Sequence, residues 1–297
     1  MDRRDFLGAL GGLLLLPVWP ADAACRLRGG CLRFGVVTDA HYAERDASGS
    51  RYYRASLDKM RAAVERFRRA DLDFIIELGD LKDMRPDKDP QEALRFLDDI
   101  EAVLQTFRGP VYHVLGNHDM DCLSKEEFLS HTCNPKAARG QAHYAFSARG
   151  VRCIVLDANF NEDGSDYCRG NFHWTSAWLP EAQLSWLAEE LDAHRRMPTV
   201  VFLHQMLDRF SDISPKLCVG NADRAVALLE SHPQVMAIFQ GHHHPGHYSR
   251  RGGIHYVTFG GMIEGPFPAH NCFATVEIHP DGHITIDGFG DCPDRLL

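Results

Sequence analysis

The sequence predicts an α/β protein built as a mixed β-sheet sandwich flanked by helices. Three observations carry that expectation. Short apolar runs, several of them β-branched, recur along the chain at strand length. In the first half, amphipathic helical patterns separate them, which is the βαβ rhythm of a largely parallel sheet. After Tyr144 the runs crowd together, with hairpin signals at Arg149-Gly150 and Asp281-Gly282.

Taken in order, the first strand is RFGVVT at 33–38. A helix over 53–69 places Leu57, Met60, Val64 and Phe67 on one face. The strand FIIEL at 74–78 precedes a helix over 92–107, where Leu94, Leu97, Ile100, Leu104 and Phe107 repeat that spacing. Strands at 111–115 and 151–156 follow. The stretch 159–179 is long, polar and aromatic, a kind of loop that often carries function in a compact domain. A helix over 180–194 opens on Pro180, suited to a first turn, and carries Leu184, Leu187 and Leu191. A strand at 199–203, a short helix over 222–229, and strands at 235–239, 254–259, 273–278 and 283–289 complete the set. With no internal repeat or linker, 32–290 reads as a single domain.

The first 23 residues read as a signal peptide of the twin-arginine type. Arg3-Arg4 precede Phe6-Leu7 and an apolar run from Ala9 to Trp19, and Ala21-Asp22-Ala23 is a small-residue cleavage site. The run is too short to span a bilayer, which takes about 20 residues. The expected partner is the twin-arginine export machinery, the expected location periplasmic or secreted, with no stable membrane anchor after cleavage. Among the nine cysteines, Cys25 with Cys31 and Cys122 with Cys133 are near enough in sequence to pair, though spacing does not determine connectivity. No C-x-x-C occurs, which argues against a thiolate zinc cluster.

The formal net charge of −9 argues against a nucleic-acid surface. A small anionic substrate remains compatible, because bound divalent cations dominate local electrostatics. Five short stretches, each just past a predicted strand, carry the chemistry. They supply Asp39 and His41 (TDAHY), Asp80 and Asp83 (GDLKD), Asn117, His118 and Asp119 (GNHD), His204 (LHQ), and His242 and His244 (GHHHPGH). Ligands of α/β sheets bind beyond the carboxyl ends of the strands. Gly79, Gly116 and Gly241 let the backbone turn there. Each piece alone is commonplace, since aspartates cap turns and histidines fill cores. The set is not: carboxylate, imidazole and one amide suit borderline-to-hard divalent ions, and seven donors are too many for one tetrahedral site.

The ordered set D-x-H, GD, GNHD, H, GHxH resembles the calcineurin-like metallophosphoesterase superfamily over roughly 32–290. The later stretch GHHHPGHYSRRGGIHYVTFGGMIEG is similar to the branch of manganese-dependent ADP-ribose/CDP-alcohol diphosphatases. The resemblance implies two divalent metal ions (Mn, Fe or Zn). Asp39, His41 and His244 would hold the first, Asn117, His204 and His242 the second, and Asp80 would bridge them. His118 would face the substrate phosphate and leaving group, with Asp83 orienting it. The implied reaction is hydrolysis of phosphate mono- or diesters or nucleotide-type diphosphates by attack of a metal-bridged hydroxide on phosphorus. The substrate would be a small phosphorylated molecule.

Candidate substrate contacts are Tyr42, Arg51 and His173. Tyr42 adjoins the first motif, Arg51 could grip a second phosphate, and 171–174 (NFHW) could cap the site and stack on a base or sugar. Core packing, a solvated arginine and a turn are the plainer roles for the same residues. Two rival readings are a nuclease on the same metals, which the acidic balance opposes, and an inactive periplasmic metal-binding protein, which would have no need of His118.

Overall fold

The strands pair into two six-stranded sheets. A computed structural model describes residues 30–171 and 173–297; the signal-peptide segment, Cys25 and Phe172 lie outside the described residues. In chain order the elements are β1 (Leu32–Val37), α1 (Ala55–Arg69), β2 (Phe74–Glu77), α2 (Pro90–Leu104), β3 (Val111–His113), α3 (Lys125–His131), β4 (Tyr144–Ala148), β5 (Val151–Val155), α4 (Glu181–Ala193), β6 (Thr199–Phe202), α5 (Ala222–Glu230), β7 (Val235–Gln240), β8 (His247–Arg251), β9 (Ile254–Thr258), β10 (Cys272–Ile278), β11 (Ile284–Gly290) and β12 (Arg295–Leu296). One sheet has the order β12-β11-β10-β1-β2-β3 and the other β4-β5-β6-β7-β9-β8. The pairs β1–β2, β2–β3, β5–β6, β6–β7 and β7–β9 are parallel, and the remaining pairs are antiparallel. This is the mixed sandwich that the sequence predicts.

Parallel strands covered on both faces should be apolar throughout, and β2, β6 and β7 are buried at every position. The layer between the sheets is built on phenylalanine. Phe34 stacks on Phe74 at 5.0 Å and meets Phe202 and Phe239 edge-on at 5.6 Å each, an arrangement favoured by the ring quadrupole. Outside the first sheet, α1 and α2 bury Met60, Phe67, Leu97 and Ile100. Outside the second, α4 and α5 bury Leu184, Leu187, Leu191 and Val226. Gly35 lets α1 approach closely, since a Cβ there would stand 2.9 Å from the Phe67 ring.

Four elements lie outside the expected list. The short α3 starts with a capping box in which Ser124 and Glu127 satisfy each other's backbone N–H. β4 forms the antiparallel edge beside β5. β8 (HYSRR) is a half-exposed edge strand without an apolar alternation to reveal it. β12 pairs with β11 beyond residue 290, which extends the domain past the expected limit. Cys122 is buried, Cys133 is exposed, and both are free thiols. Among the described residues, no helix is long and apolar enough to cross a membrane.

Candidate metal centre

Five strands, β1, β2 and β3 of one sheet and β6 and β7 of the other, end on the same edge of the sandwich. Just past them stand Asp39 and His41, Asp80, Asn117 and His118, His204, and His242 and His244. The backbone is forced there. Asp39, His41, Asp80 and His242 all have positive φ, between 45° and 69°, a conformation that non-glycine residues hold at a cost and that gathers at functional sites. Hydrogen bonds enforce it: Asp39 N to Gly79 O at 2.9 Å and His41 N to Asp80 O at 2.8 Å. The Asp119 carboxylate accepts from Asp80 N, Leu81 N and Gly116 N at 2.8–3.0 Å and so binds the GD turn to the GNHD turn. Gly116 is obligatory, because a Cβ would stand 2.1 Å from Asp80 N.

Two groups of donor atoms result. In one, Asp39 Oδ1 lies 3.7 Å from His41 Nε2 and 3.3 Å from His244 Nε2, and the two imidazole nitrogens are 3.2 Å apart. In the other, Asp80 Oδ2 lies 3.2 Å from His204 Nε2, with a donor of His242 close by. Asp80 Oδ2 is also 3.5 Å from His41 Nε2, so it faces both groups. Asp80 Oδ1 accepts from His118 N at 2.6 Å. His243, between the two histidines, belongs to neither group.

These contacts are crowded donor atoms rather than aligned hydrogen bonds. Asp39 Oδ1, Asn117 Oδ1, His204 Nε2 and His242 Nε2 are buried and have no hydrogen-bond partner among the described residues. Stranding four such atoms would cost about 1–3 kcal/mol each. Cations placed among them satisfy all four, so the residues fit a two-metal centre.

The electrostatics agree. Burial pushes the Asp39 carboxyl up, but His204, His244 and His41 outweigh it and hold it well below the usual range. Burial lowers His204, yet Asp80 and Asp39 raise it to about 10. His244 rises to about 9 through Asp39 and Glu264, against burial. His242 falls to about 3 through burial and the neighbouring His204. Buried carboxylates here demand positive charge, which protons supply in the bare site and cations supply when bound.

Around these donors sits a supporting layer. Asp83 Oδ2 lies 3.4 Å from His118 Nδ1 and 3.3 Å from His41 Nδ1. The aspartate assigned to His118 therefore also faces a metal-ligand candidate. His118 keeps 24% of its side chain exposed; burial would lower its pKa, but Asp80 and Asp83 raise it. Buried Lys82 donates to the His118 carbonyl at 2.6 Å and pairs with Asp121. Sequence reasoning missed Glu264, whose Oε1 lies 2.6 Å from His244 Nδ1. Its loop is held by Lys59, which donates to the carbonyls of Met262, Glu264 and Gly265 at 2.7–2.8 Å. Nothing local in GGMIEG marks this glutamate as a partner of His244.

The expected substrate contacts fare unevenly. Tyr42 requires correction: it is 2% exposed, packs edge-on against Phe96 and donates its hydroxyl to Glu44 at 3.0 Å, so it is a core residue. Arg51 forms a β-bridge with Glu264 and stands on the His244 side of the centre. His173 is exposed, and its carbonyl accepts from the Tyr167 hydroxyl. Among the described residues of this loop, Trp174 approaches the metal donors: it is 45% exposed, with its ring 6.0 Å from that of His242.

A family model described as calcineurin-like phosphoesterase matches residues 32–246. Among curated relatives, the manganese-dependent ADP-ribose/CDP-alcohol diphosphatase of Xenopus tropicalis is 27% identical, covering 89% of this chain and 93% of that protein. The protein of the same name from Oryza sativa subsp. japonica is 28% identical, covering 84% and 88%. The crystal structure of a dimetal phosphatase from Danio rerio superposes with a TM-score of 0.77 at 24% identity, covering 90% of this chain and 98% of that one. At that identity the likeness concerns the fold.

Proposed function

The chain belongs to the calcineurin-like phosphoesterase family, and we propose that it hydrolyses nucleotide-type diphosphates with two divalent metal ions. The observation that carries the reading is the convergence of buried donors without hydrogen-bond partners on Asp80, which faces both groups. The relatives' names support the diphosphate substrate and manganese as the metal. Arg51, beside His244, offers a second phosphate group a cation, and Trp174, beside His242, offers a base a stacking face.

Asp39, His41 and His244 would hold one ion, Asn117, His204 and His242 the other, and Asp80 both. When bound, the ions supply Lewis-acid stabilisation of phosphoryl oxygens and a nucleophilic water near neutral pH. His118 faces the cleft with Nδ1 against Asp83. The Asp83 carboxylate holds a proton on that nitrogen and, with Asp80, favours the imidazolium form, whose second proton, on Nε2, neutralises the leaving oxygen as the P–O bond breaks. Lys82 fixes the backbone from which His118 projects.

The test uses one preparation of the chain, with its metals quantified and its turnover compared across ADP-ribose, a phosphodiester and simple phosphomonoesters. Two metals per chain and the highest kcat/KM on ADP-ribose are expected. Fewer than two metals after loading overturns the dinuclear reading, and preference for a simple monoester overturns the substrate. We also propose that residues 1–23 direct twin-arginine export to the periplasm or beyond. A mature protein recovered outside the cytoplasm, beginning just after Ala23, is the expected outcome; a cytoplasmic protein retaining Arg3-Arg4 contradicts it.

A further inference from the structure

A cavity of about 470 Å³ adjoins the metal centre, and its wall runs from His244 and Glu264 to Cys272 and Cys292. Cys272 opens β10 opposite Gly290, and Cys292 follows two residues beyond that glycine. Asp291 N donates to Asn271 O at 2.7 Å and Cys292 N to Phe289 O at 3.4 Å, which turns the chain back on β10. The turn brings both cysteines into the wall of the same cavity as near neighbours in the fold. Both residues are buried, 5% and 7% exposed, so the cavity is their access route. Cys272 Sγ also lies on the backbone leading to the metal site. A Cβ at Gly260 would stand 2.9 Å from that sulfur and 3.1 Å from His244 O.

We propose that Cys272 and Cys292 form a dithiol–disulfide site in the cavity wall, oxidised by a low-molecular-weight disulfide such as oxidised glutathione. One cysteine thiolate attacks a sulfur of the reagent; a mixed disulfide forms and the first reagent thiol leaves. The second cysteine, losing its proton, attacks the protein-bound sulfur; the Cys272–Cys292 bond forms and the second reagent thiol leaves. The protein loses two protons and two electrons, and the reagent gains them as two thiols. A disulfide needs its two Cα atoms about 4.4–6.8 Å apart, and Cys292 lies in the turn two residues past Gly290, the residue paired with Cys272. The bond ties the end of β11 to the wall that carries His244. Neither cysteine belongs to the pairs suggested by sequence proximity.

The full chain is incubated with oxidised or reduced glutathione and quenched in acid. Its remaining thiols are then alkylated under denaturing conditions and mapped by mass spectrometry. Oxidation is expected to protect Cys272 and Cys292 together and to yield a cross-linked peptide joining them, with a loss of two hydrogens that reductant reverses. Cys292→Ser is expected to abolish that peptide. Full alkylation of both cysteines after oxidation overturns the site, as does a stable glutathione adduct on either without the cross-link, or a cross-link to any other cysteine. The wild-type map decides the question even where the variant fails to fold.

Discussion

At the scale of single residues, the site separates groups that hold charge from groups that move it. His118 lies in the donor cluster of His41 and Asp83 yet outside the two metal groups. His118→Ala is expected to retain both metals and lose about 10²–10⁴-fold in turnover, the usual worth of a general acid. Metal analysis beside kcat checks this, and metal loss would assign His118 to the ligands. Glu264 acts from behind His244: its carboxylate, drawn down to about 2 chiefly by that histidine, fixes which ring nitrogen faces the metal. Glu264→Gln is expected to weaken metal binding about 10–100-fold, read by competitive titration with a chelator, while the protein stays folded. The seven donors were legible because each follows an apolar run and a turn. Glu264 was not, since its contact depends on a loop that Lys59 folds from another element. Tyr42 misled because adjacency to a motif says nothing about which way a side chain packs.

At the scale of elements, the strand ends need their own support. His113, the last residue of β3, lies 3.3 Å from Glu77 at the end of β2 and 3.2 Å from Glu101 of α2, all buried. Glu77 also accepts from Gly79 N at 2.7 Å, which ties this triad to the turn that presents Asp80. Burial opposes a charged His113, but Glu101 and Glu77 raise it to about 10. The folded value lies above the ordinary 6.5, so the stabilisation is complete below about pH 6.5 and is lost as pH rises through about 10. Urea midpoints are therefore expected to fall across that window in the wild type and to flatten in His113→Gln. His113→Ala, which leaves buried carboxylates uncompensated, should cost on the order of 3–5 kcal/mol. No such triad is visible in a sequence, because its members come from three elements. Other reasons hid α3 and β8. One is too short for a periodic signal, and the other is a polar edge strand defined only by its pairing with β9.

At the scale of the whole molecule, the two-sheet sandwich was legible and the division of the strands between its sheets was not. Alternating strands and helices announce an α/β layer. The pairing of β1 with β10, which joins Leu32 to Ile278, has no local signature. That division gives the metals a structural task. Asp39, His41, Asp80 and Asn117 follow strands of the first sheet, and His204, His242 and His244 follow strands of the second. Each metal group draws donors from both, Asp39 and His41 with His244, and Asp80 with His204 and His242. Every bound ion is thus a tie between the two halves of the sandwich. A ligand bound only by the native state stabilises it by about 4 kcal/mol at a thousandfold excess over its dissociation constant. For a chain of this size that corresponds to a rise on the order of 10 °C in Tm. Chelator-treated protein is therefore expected to unfold cooperatively at lower temperature, and added manganese to restore the difference in a concentration-dependent way. Asp80→Asn weakens the carboxylate that both groups share and should abolish most of that rise. His118→Ala should keep it, since its loss is chemical rather than structural. A metal-independent wild-type Tm, or equal loss of the rise in both variants, would mean that the ions do not bind between the sheets.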